Sequence, residues 1–293
     1  MAPGDDIARR VDAAQSLLAT PAADQARTIE GAFAECSRAI AAAMARLDPA
    51  SRASALDVAG GVAIFAGAGS PLTQALGVGL AGPVTAAELD LLEAHLRPGG
   101  RGSCQVELCP FVDPTLPALL AERRYRVHEW QLAWTCAVPA EPIAPPHPPD
   151  EALRVRRAHA GEEDLFFRTV MAGFLESEEV PDDAIALMRP TAFAERHEIF
   201  LAFLGDEPVG GGALLWSDGV AFVAGSGVRP AFRRRGAQGA LLRARLARAR
   251  EVGCAVVCSQ TLPGTASRRN MERHGFHVAY PKLVMLHPAL LDC

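Results

Sequence analysis

The chain has 293 residues, 49% of them apolar, and a formal net charge of −5. That length accommodates two domains with sizeable cores, and the negative balance excludes a general nucleic-acid or membrane-surface binder. Arginine carries nearly all the positive charge, since Lys282 is the only lysine.

Seven cysteines, Cys36, Cys104, Cys109, Cys136, Cys254, Cys258 and Cys293, show no zinc-type spacing, so no metal is expected. They read as buried free thiols, and their odd number fits a reducing compartment, so a cytoplasmic location is expected. The start, Met1-Ala2-Pro3-Gly4-Asp5-Asp6, is acidic and lacks the apolar core of a secretory signal.

From Asp5 to about Leu47 the spacing is helical (Phe33, Cys36, Ile40, Ala43, Met44), and Pro21 and Pro49 divide it into two helices. Strands are expected at Val58–Phe65 and Leu72–Leu80. The uncharged stretch between Val58 and Val84 reads as buried strands around the turn Gly67-Ala68-Gly69-Ser70-Pro71, not as a membrane span. Thr85-Ala86-Ala87-Glu88 is a capping box opening a helix to Leu96. A strand at Cys104–Leu108, a short helix at Pro114–Arg124 and a long strand or bent hairpin at Tyr125–Val138 follow. The run Pro139 to Pro149 holds six prolines in eleven residues, which favours an extended spacer. The expected division is therefore 1–138, a spacer at 139–150, and 151–293.

In the second half, Leu153–Arg157 alternates as a strand. A helix runs from the acids Glu162-Glu163-Asp164 to about Phe174, and another follows Asp182-Asp183 with a break at Pro190. Strands are expected at Ile199–Leu204, Val209–Trp216 and Val220–Val228, the last two joined by the tight turn Ser217-Asp218-Gly219. After Val228 comes Arg229-Pro230-Ala231-Phe232-Arg233-Arg234-Arg235-Gly236-Ala237-Gln238-Gly239-Ala240, then a helix ending near Gly253. A glycine-containing turn opening a helix presents unpaired backbone N–H groups and a positive dipole end, a combination suited to phosphate. It is no P-loop, because Gly239 precedes Ala240-Leu241 in place of Lys-Ser/Thr. It is no dinucleotide fingerprint either, since the turn offers only Gly236 and Gly239. Between Arg229 and Arg250 lie eight arginines and no acid. Leu242, Leu246, Ala249 and Gly253 share the helix core face, and Arg243, Arg245, Arg248 and Arg250 read as its solvated rim.

Arg233 and Gly236 resemble the acetyl-CoA loop of the GNAT superfamily of N-acetyltransferases, Gln/Arg-x-x-Gly-x-Gly/Ala, with Gln238 where that pattern has Gly or Ala. A second patch, Ser267 to Phe276, resembles the family's later helix ending in Gly-Phe, with Gly275 just past the helix and Phe276 as core anchor. The resemblance covers roughly 153–287. It implies a mixed α/β (α+β) fold, a mostly antiparallel sheet flanked by helices. A loose match of Leu119–Val127 to Asn270–Val278 points to duplication, the first half being a degenerate copy whose turn (Gly79 to Val84) has no arginine.

The resemblance further implies an acyltransferase using acetyl-CoA as cosubstrate, with a small-molecule primary amine as acceptor and neither nucleic acid nor membrane as partner; a homodimer is left open. Cofactor contacts are expected from Ser226, Gly227, Val228, Arg233, Arg234, Arg235, Gly236, Ala237, Gln238, Gly239, Ala240 and Asn270. The strand end 225–228 should part from its neighbour, leaving the Val228 N–H as oxyanion donor. For proton transfer the family often carries a tyrosine where this chain has Met271. Tyr280, Glu198 and Ser226 remain candidates, against the structural readings of core or edge aromatic, strand-end charge and turn residue, which are favoured for Tyr280 and Glu198. Acids between Glu176 and Asp183 are candidates to attract a cationic amine. The rival readings are a non-catalytic acyl-CoA-binding module, motivated by Met271 and Gln238, and an RNA binder using the arginine helix.

Overall fold

The computed structural model describes residues 20, 22–67, 69–100, 104–141, 144 and 152–287. The helix expected before Pro21 and most of the proline-rich stretch lie outside these residues. The chain forms two compact units that do not follow chain order. The first holds Thr20–Trp134, Gln260–Arg268 and the chain from Val278; the second holds Thr135–Ser259 and Arg269–His277.

The first unit begins with helix α1 (Ala22–Leu47), which buries Ala26, Ile29, Ala34, Ala41 and Met44 along one face. Strands β1 (Ser54–Val58), β2 (Gly61–Phe65) and β3 (Gln74–Leu76) follow. The strand expected at Val58–Phe65 is in fact the end of one strand and the whole of the next. Ala59 and Gly60 both take positive φ (49° and 75°) and make the tight turn between them, the geometry a two-residue hairpin demands. The expected strand Leu72–Leu80 shrinks to β3, ended by Gly77 at φ 67°. Among the described residues no helix is long and apolar enough to cross a membrane. Helix α2 (Ala86–Leu96) carries the expected capping box, with Thr85 accepting from the Glu88 N–H and Glu88 accepting from the Thr85 N–H. Strand β4 (Gln105–Leu108), helix α3 (Thr115–Glu122) and strand β5 (Arg126–Ala137) complete the first half of the chain.

The chain's last strand, β11 (His277–Leu286), lies between β4 and β5 and pairs antiparallel with β4 from Leu283↔Leu108 to Leu286↔Gln105. It brings Lys282 into the first unit's interior. There the ammonium lies 2.9 Å from the Glu30 carboxylate and also pairs with Glu107, and the Tyr280 hydroxyl donates to Glu30 at 2.8 Å. Burial disfavours the charge on Lys282, but Glu107 and Glu30 outweigh it and raise its pKa.

In the second unit the strand order is β10-β9-β8-β7-β6. β6 (Leu153–Arg157), β7 (His197–Leu204), β8 (Glu207–Ser217) and β9 (Val220–Val228) are successive antiparallel neighbours. β10 (Val256–Thr261) runs parallel to β9, and helix α6 (Ala237–Glu251) makes the crossover such a pair requires. Helix α4 (Glu163–Leu175) ends where Glu176 turns left-handed at φ 54°. Helix α5 (Asp182–Met188) stops just before Pro190, where the chain tightens into a 3₁₀ turn, as the missing proline N–H dictates. Helix α7 (Ala266–Arg273) is the last.

Both halves of the chain thus share the run helix, three antiparallel strands, helix, parallel strand, helix and strand, to which the second half adds β6 and a further helix at its start. The fold class is the expected one: mixed α/β, with mostly antiparallel strands and flanking helices.

Candidate active site

Strands β9 and β10 pair only from Val220↔Val256 to Phe222↔Cys258. The next link is made by a side chain, the buried Ser259 hydroxyl donating to the Val223 carbonyl at 3.0 Å. Beyond it β9 continues to Val228 with no β10 partner. N–H groups along a strand point alternately to its two edges. The Arg229 N–H donates to Val209 of β8 at 2.9 Å, so the Val228 N–H points to the opposite edge, the one β10 has left.

A bulge prepares this strand end. Gly211 faces Gly227 and Ala213 faces Ala224, so Gly225 and Ser226 together oppose the single Gly212. Gly225 takes φ 52°, the conformation a bulge of this kind asks of glycine. The three successive glycines of β8 have separate packing reasons. A Cβ on Gly211 would strike Val170 and Phe166 of α4, and one on Gly212 would stand 2.7 Å from the Arg245 guanidinium.

The turn that follows is bolted to the end of α4. Arg229 pairs with Glu178 and Glu207, and its guanidinium lies 5.0 Å from the Phe232 ring centre. Arg233 donates to Glu176 at 3.0 Å and to the Gly173 carbonyl at 2.9 Å. Of the three arginines expected at the cofactor, then, Arg233 holds the loop in place. Arg234 and Arg235 are exposed, and no carboxylate pairs with either among the described residues. Arg234 (φ 65°) and Gly236 (φ 86°) are both left-handed, an alternation that turns backbone N–H groups toward a common concave side. The first bond of α6 runs from the Ala240 N–H to the Gly236 carbonyl, and Gly236 supplies no side-chain cap. The N–H groups of Ala237, Gln238 and Gly239 therefore precede any helical acceptor. Ala237 is buried, and Gln238 and Gly239 are half-buried. An anion-sized nest, two unpaired cations and an open strand edge fit an extended ligand carrying a pyrophosphate.

Behind the nest, α7 ends in a Schellman turn: Phe276 donates to Met271, Gly275 donates to Glu272, and Gly275 is left-handed at φ 80°. His274 donates from Nδ1 to the Asn270 carbonyl at 2.8 Å, which leaves Nε2 as the acceptor. That Nε2 is buried without a partner and would lie 3.4 Å from a Cβ on Gly239. Burial, aided by Arg243 and Arg273, lowers the His274 pKa. Asn270, half-buried, is placed on this helix by the same turn.

The candidate proton-transfer groups each have local partners. Tyr280 faces Glu30 and Phe111 in the first unit. Glu198 is gripped by Arg248 (2.8 and 3.0 Å) and by Arg157 (3.1 Å), which makes it an ion-pair anchor for α6. Ser226 sits at the bulge, with its hydroxyl toward the Ala224 carbonyl. Met271 is buried. Of the acids proposed to attract an amine, Glu176, Glu178 and Asp182 are paired with Arg233, Arg229 and Arg168.

Arg245 was expected on a solvated rim and is instead 1% exposed. It donates to the carbonyls of Leu241, Ala213 and Ala224 at 3.0–3.2 Å, and burial pulls its pKa down to about 9. The spacing Leu241, Arg245, Ala249 is the stripe that would have revealed it. Arg248 too leaves the rim, for Glu198.

Residues 164–276 match the family model for the acetyltransferase (GNAT) family. Curated proteins give no match. Among solved structures, a GCN5-related N-acetyltransferase from Kribbella flavida is similar over 85% of this chain and 95% of its own, at 18% identity and TM-score 0.61. A tandem GNAT protein from the clavulanic acid biosynthesis pathway is similar over 77% of each chain, at 14% identity and TM-score 0.55. At such identities the likeness is one of fold, while the family match falls on the segment that holds the parted strands, the turn and α6. Residues 164–276 are thus similar to the acetyltransferase (GNAT) family, and the rest of the chain lies outside that match.

Proposed function

We propose that the chain is an N-acetyltransferase that moves an acetyl group from acetyl-CoA to the primary amine of a small molecule by direct attack in a ternary complex. The observation that carries this reading is the parting of β9 from β10 beside the uncapped start of α6. Backbone N–H groups of Ala237, Gln238 and Gly239 would hold the pyrophosphate, and Arg234 and Arg235 would pair with its oxygens. The open edge of β9 would receive the amides of the pantetheine arm. The Val228 N–H would stabilise charge on the thioester oxygen, the contribution expected of a preorganised donor. Arg229 and Arg233 position the turn without touching the ligand.

The two halves are read as a duplication in which only the second keeps the site. In the first half, the helix at the corresponding place, α2, already has the Glu88 carboxylate on its first turn, where a phosphate would have to sit. The second reading, an acyl-CoA-binding module without turnover, is favoured by buried Met271 and by Tyr280 facing Glu30.

A thermal-shift titration with acetyl-CoA, CoA and ATP tests the site. A ligand at 100 times its Kd adds about 2.7 kcal/mol, which for a protein of this size raises Tm by roughly 5 °C. The expected result is a rise with both CoA species and none with ATP. Release of free CoA thiol on addition of amines then separates the transferase from the binding module. No rise with either CoA species refutes the site.

A further inference from the structure

The bulge in β9 is held from beneath by one side chain. Where the strand breaks step, two carbonyls flank the fault: Ala224, just before the bulge in β9, and Ala213, just after Gly212 in β8. Both accept from the same Arg245 nitrogen, Nη1, at 3.2 and 3.1 Å, and Nε donates to Leu241 one turn earlier in α6. Among the described residues no carboxylate pairs with this guanidinium, which is 1% exposed. A buried cation without a counter-ion is costly. Here it is set among carbonyl dipoles in a space that Gly212 leaves open. The planar fork holds both strand carbonyls through the two N–H bonds of Nη1 while Nε is tied to Leu241, a grip that a lone ammonium nitrogen cannot repeat.

Resting on the acyl-transfer reading above, we propose that Arg245 is a positioning residue for the reaction: it fixes the bulge at Gly225-Ser226 and so aims the N–H of Val228 into the gap left by β10. It touches neither thioester nor amine. It joins the first turns of α6, which hold the anion site, to the strand end that holds the oxyanion donor, so the two ends of one ligand are set by one helix. Three things follow from the geometry. The strand end should loosen locally when the fork is lost. The loss should fall on the chemical step, because a misaimed donor costs transition-state stabilisation while the phosphate nest remains. Lysine, whose ammonium can approach the strand carbonyls but has no Nε to tie it to Leu241, should rescue only part.

The test compares wild type with Arg245→Met and Arg245→Lys by amide hydrogen exchange without ligand, and by kcat and KM for acetyl-CoA. The proposal expects faster exchange confined to residues 224–228 in Arg245→Met. It also expects kcat lowered about 10- to 100-fold, KM within about threefold, and intermediate values for Arg245→Lys. Exchange that stays unchanged at 224–228, or that rises evenly over β7, β8 and β9, overturns it. So does a kcat that survives while Tm falls. If Arg245→Met does not fold, Gly212→Ala serves, because its methyl would stand 2.7 Å from the guanidinium carbon and displace the fork while keeping the arginine. A wild type that binds no CoA species refutes the transferase reading and with it the catalytic role, while the exchange pattern still decides what holds the bulge.

Discussion

A methyl group on Gly227 would stand 2.3 Å from the carbonyl oxygen of Val170. Helix α4 lies that close on the strand end, and Gly173 allows the same approach from the helix side, where a Cβ would meet the Val228 nitrogen at 2.7 Å. The obstacles are backbone atoms, so neither glycine has a cheap replacement. Gly227→Ala should cost about 1–3 kcal/mol and abolish the stabilisation by acetyl-CoA. Gly31→Ala should do the opposite: Gly31 lies within α1 with nothing within 4 Å, and the change should add about 0.5–1 kcal/mol. Chemical denaturation of both variants checks the contrast.

Gly236 allows a test of the anion nest that separates shape from charge. It is left-handed at φ 86°, with only Leu153 near the place of a Cβ. Asparagine and aspartate both tolerate that conformation better than other residues. Gly236→Asn should bind CoA with a loss of about tenfold or less, on the order of 1 kcal/mol. Gly236→Asp puts a carboxylate where the proposal places the phosphates and should give no measurable binding by calorimetry. Equal affinity of the two variants would mean that no anion binds there.

The arginines of the turn should divide by role. Removing Arg233 breaks its bonds to Glu176 and Gly173 and should lower Tm. Removing exposed Arg234 or Arg235 should leave Tm alone and weaken CoA by about 1 kcal/mol, or fivefold, through a lost charge-assisted contact. Added salt should shrink that difference. A Tm loss in Arg234→Ala matching that of Arg233→Ala would contradict the division.

His197 gives the second unit an acid-sensitive point. Burial holds its pKa down to about 4 from the ordinary 6.5, against the bond from Nδ1 to the Thr191 carbonyl. Between those two values the unfolded chain takes up a proton and the folded chain does not, so stability falls as pH drops through that window and is unaffected above it. The loss is on the order of 3 kcal/mol. His197→Asn, which keeps a donor for Thr191 and cannot ionise, should flatten the Tm profile between pH 6.5 and 4. Parallel profiles for the two proteins would refute this.

Much of the second unit was legible in the sequence, because its strands are separated by strong punctuation. Asp218-Gly219, Gly205-Asp206 and Pro190 each mark a boundary the structure keeps. The site's backbone parts were legible for a like reason: Gly236 and Gly275 have left-handed roles that few other residues fill. Side-chain roles were less so. Arg233 and Arg235 look alike in sequence, and only the position of Glu176 at the end of α4 tells them apart. Arg245 was misread because charge was taken as exposure, although its i+4 neighbours Leu241 and Ala249 are buried. The Ala59-Gly60 turn was missed because alanine rarely takes positive φ. The place of β11 in the first unit was hidden for another reason. Strand partners are set by register and burial across long sequence separations, and Lys282 meets its carboxylates more than 170 residues away.

That same Lys282 has a bearing on the acyl transfer proposed above. It is the chain's one ε-amine, and it is fully buried and salt-bridged between Glu30 and Glu107. Reactive acyl thioesters modify exposed lysines without any catalyst, and a transferase that gathers such a donor exposes itself first. This surface would offer such a donor no lysine at all, only arginine, whose guanidinium stays protonated and does not acylate. The protein should therefore keep an unaltered mass at its lysine after long incubation with acetyl-CoA. Amine-directed cross-linkers and labels would find nothing on its side chains until the first unit unfolds.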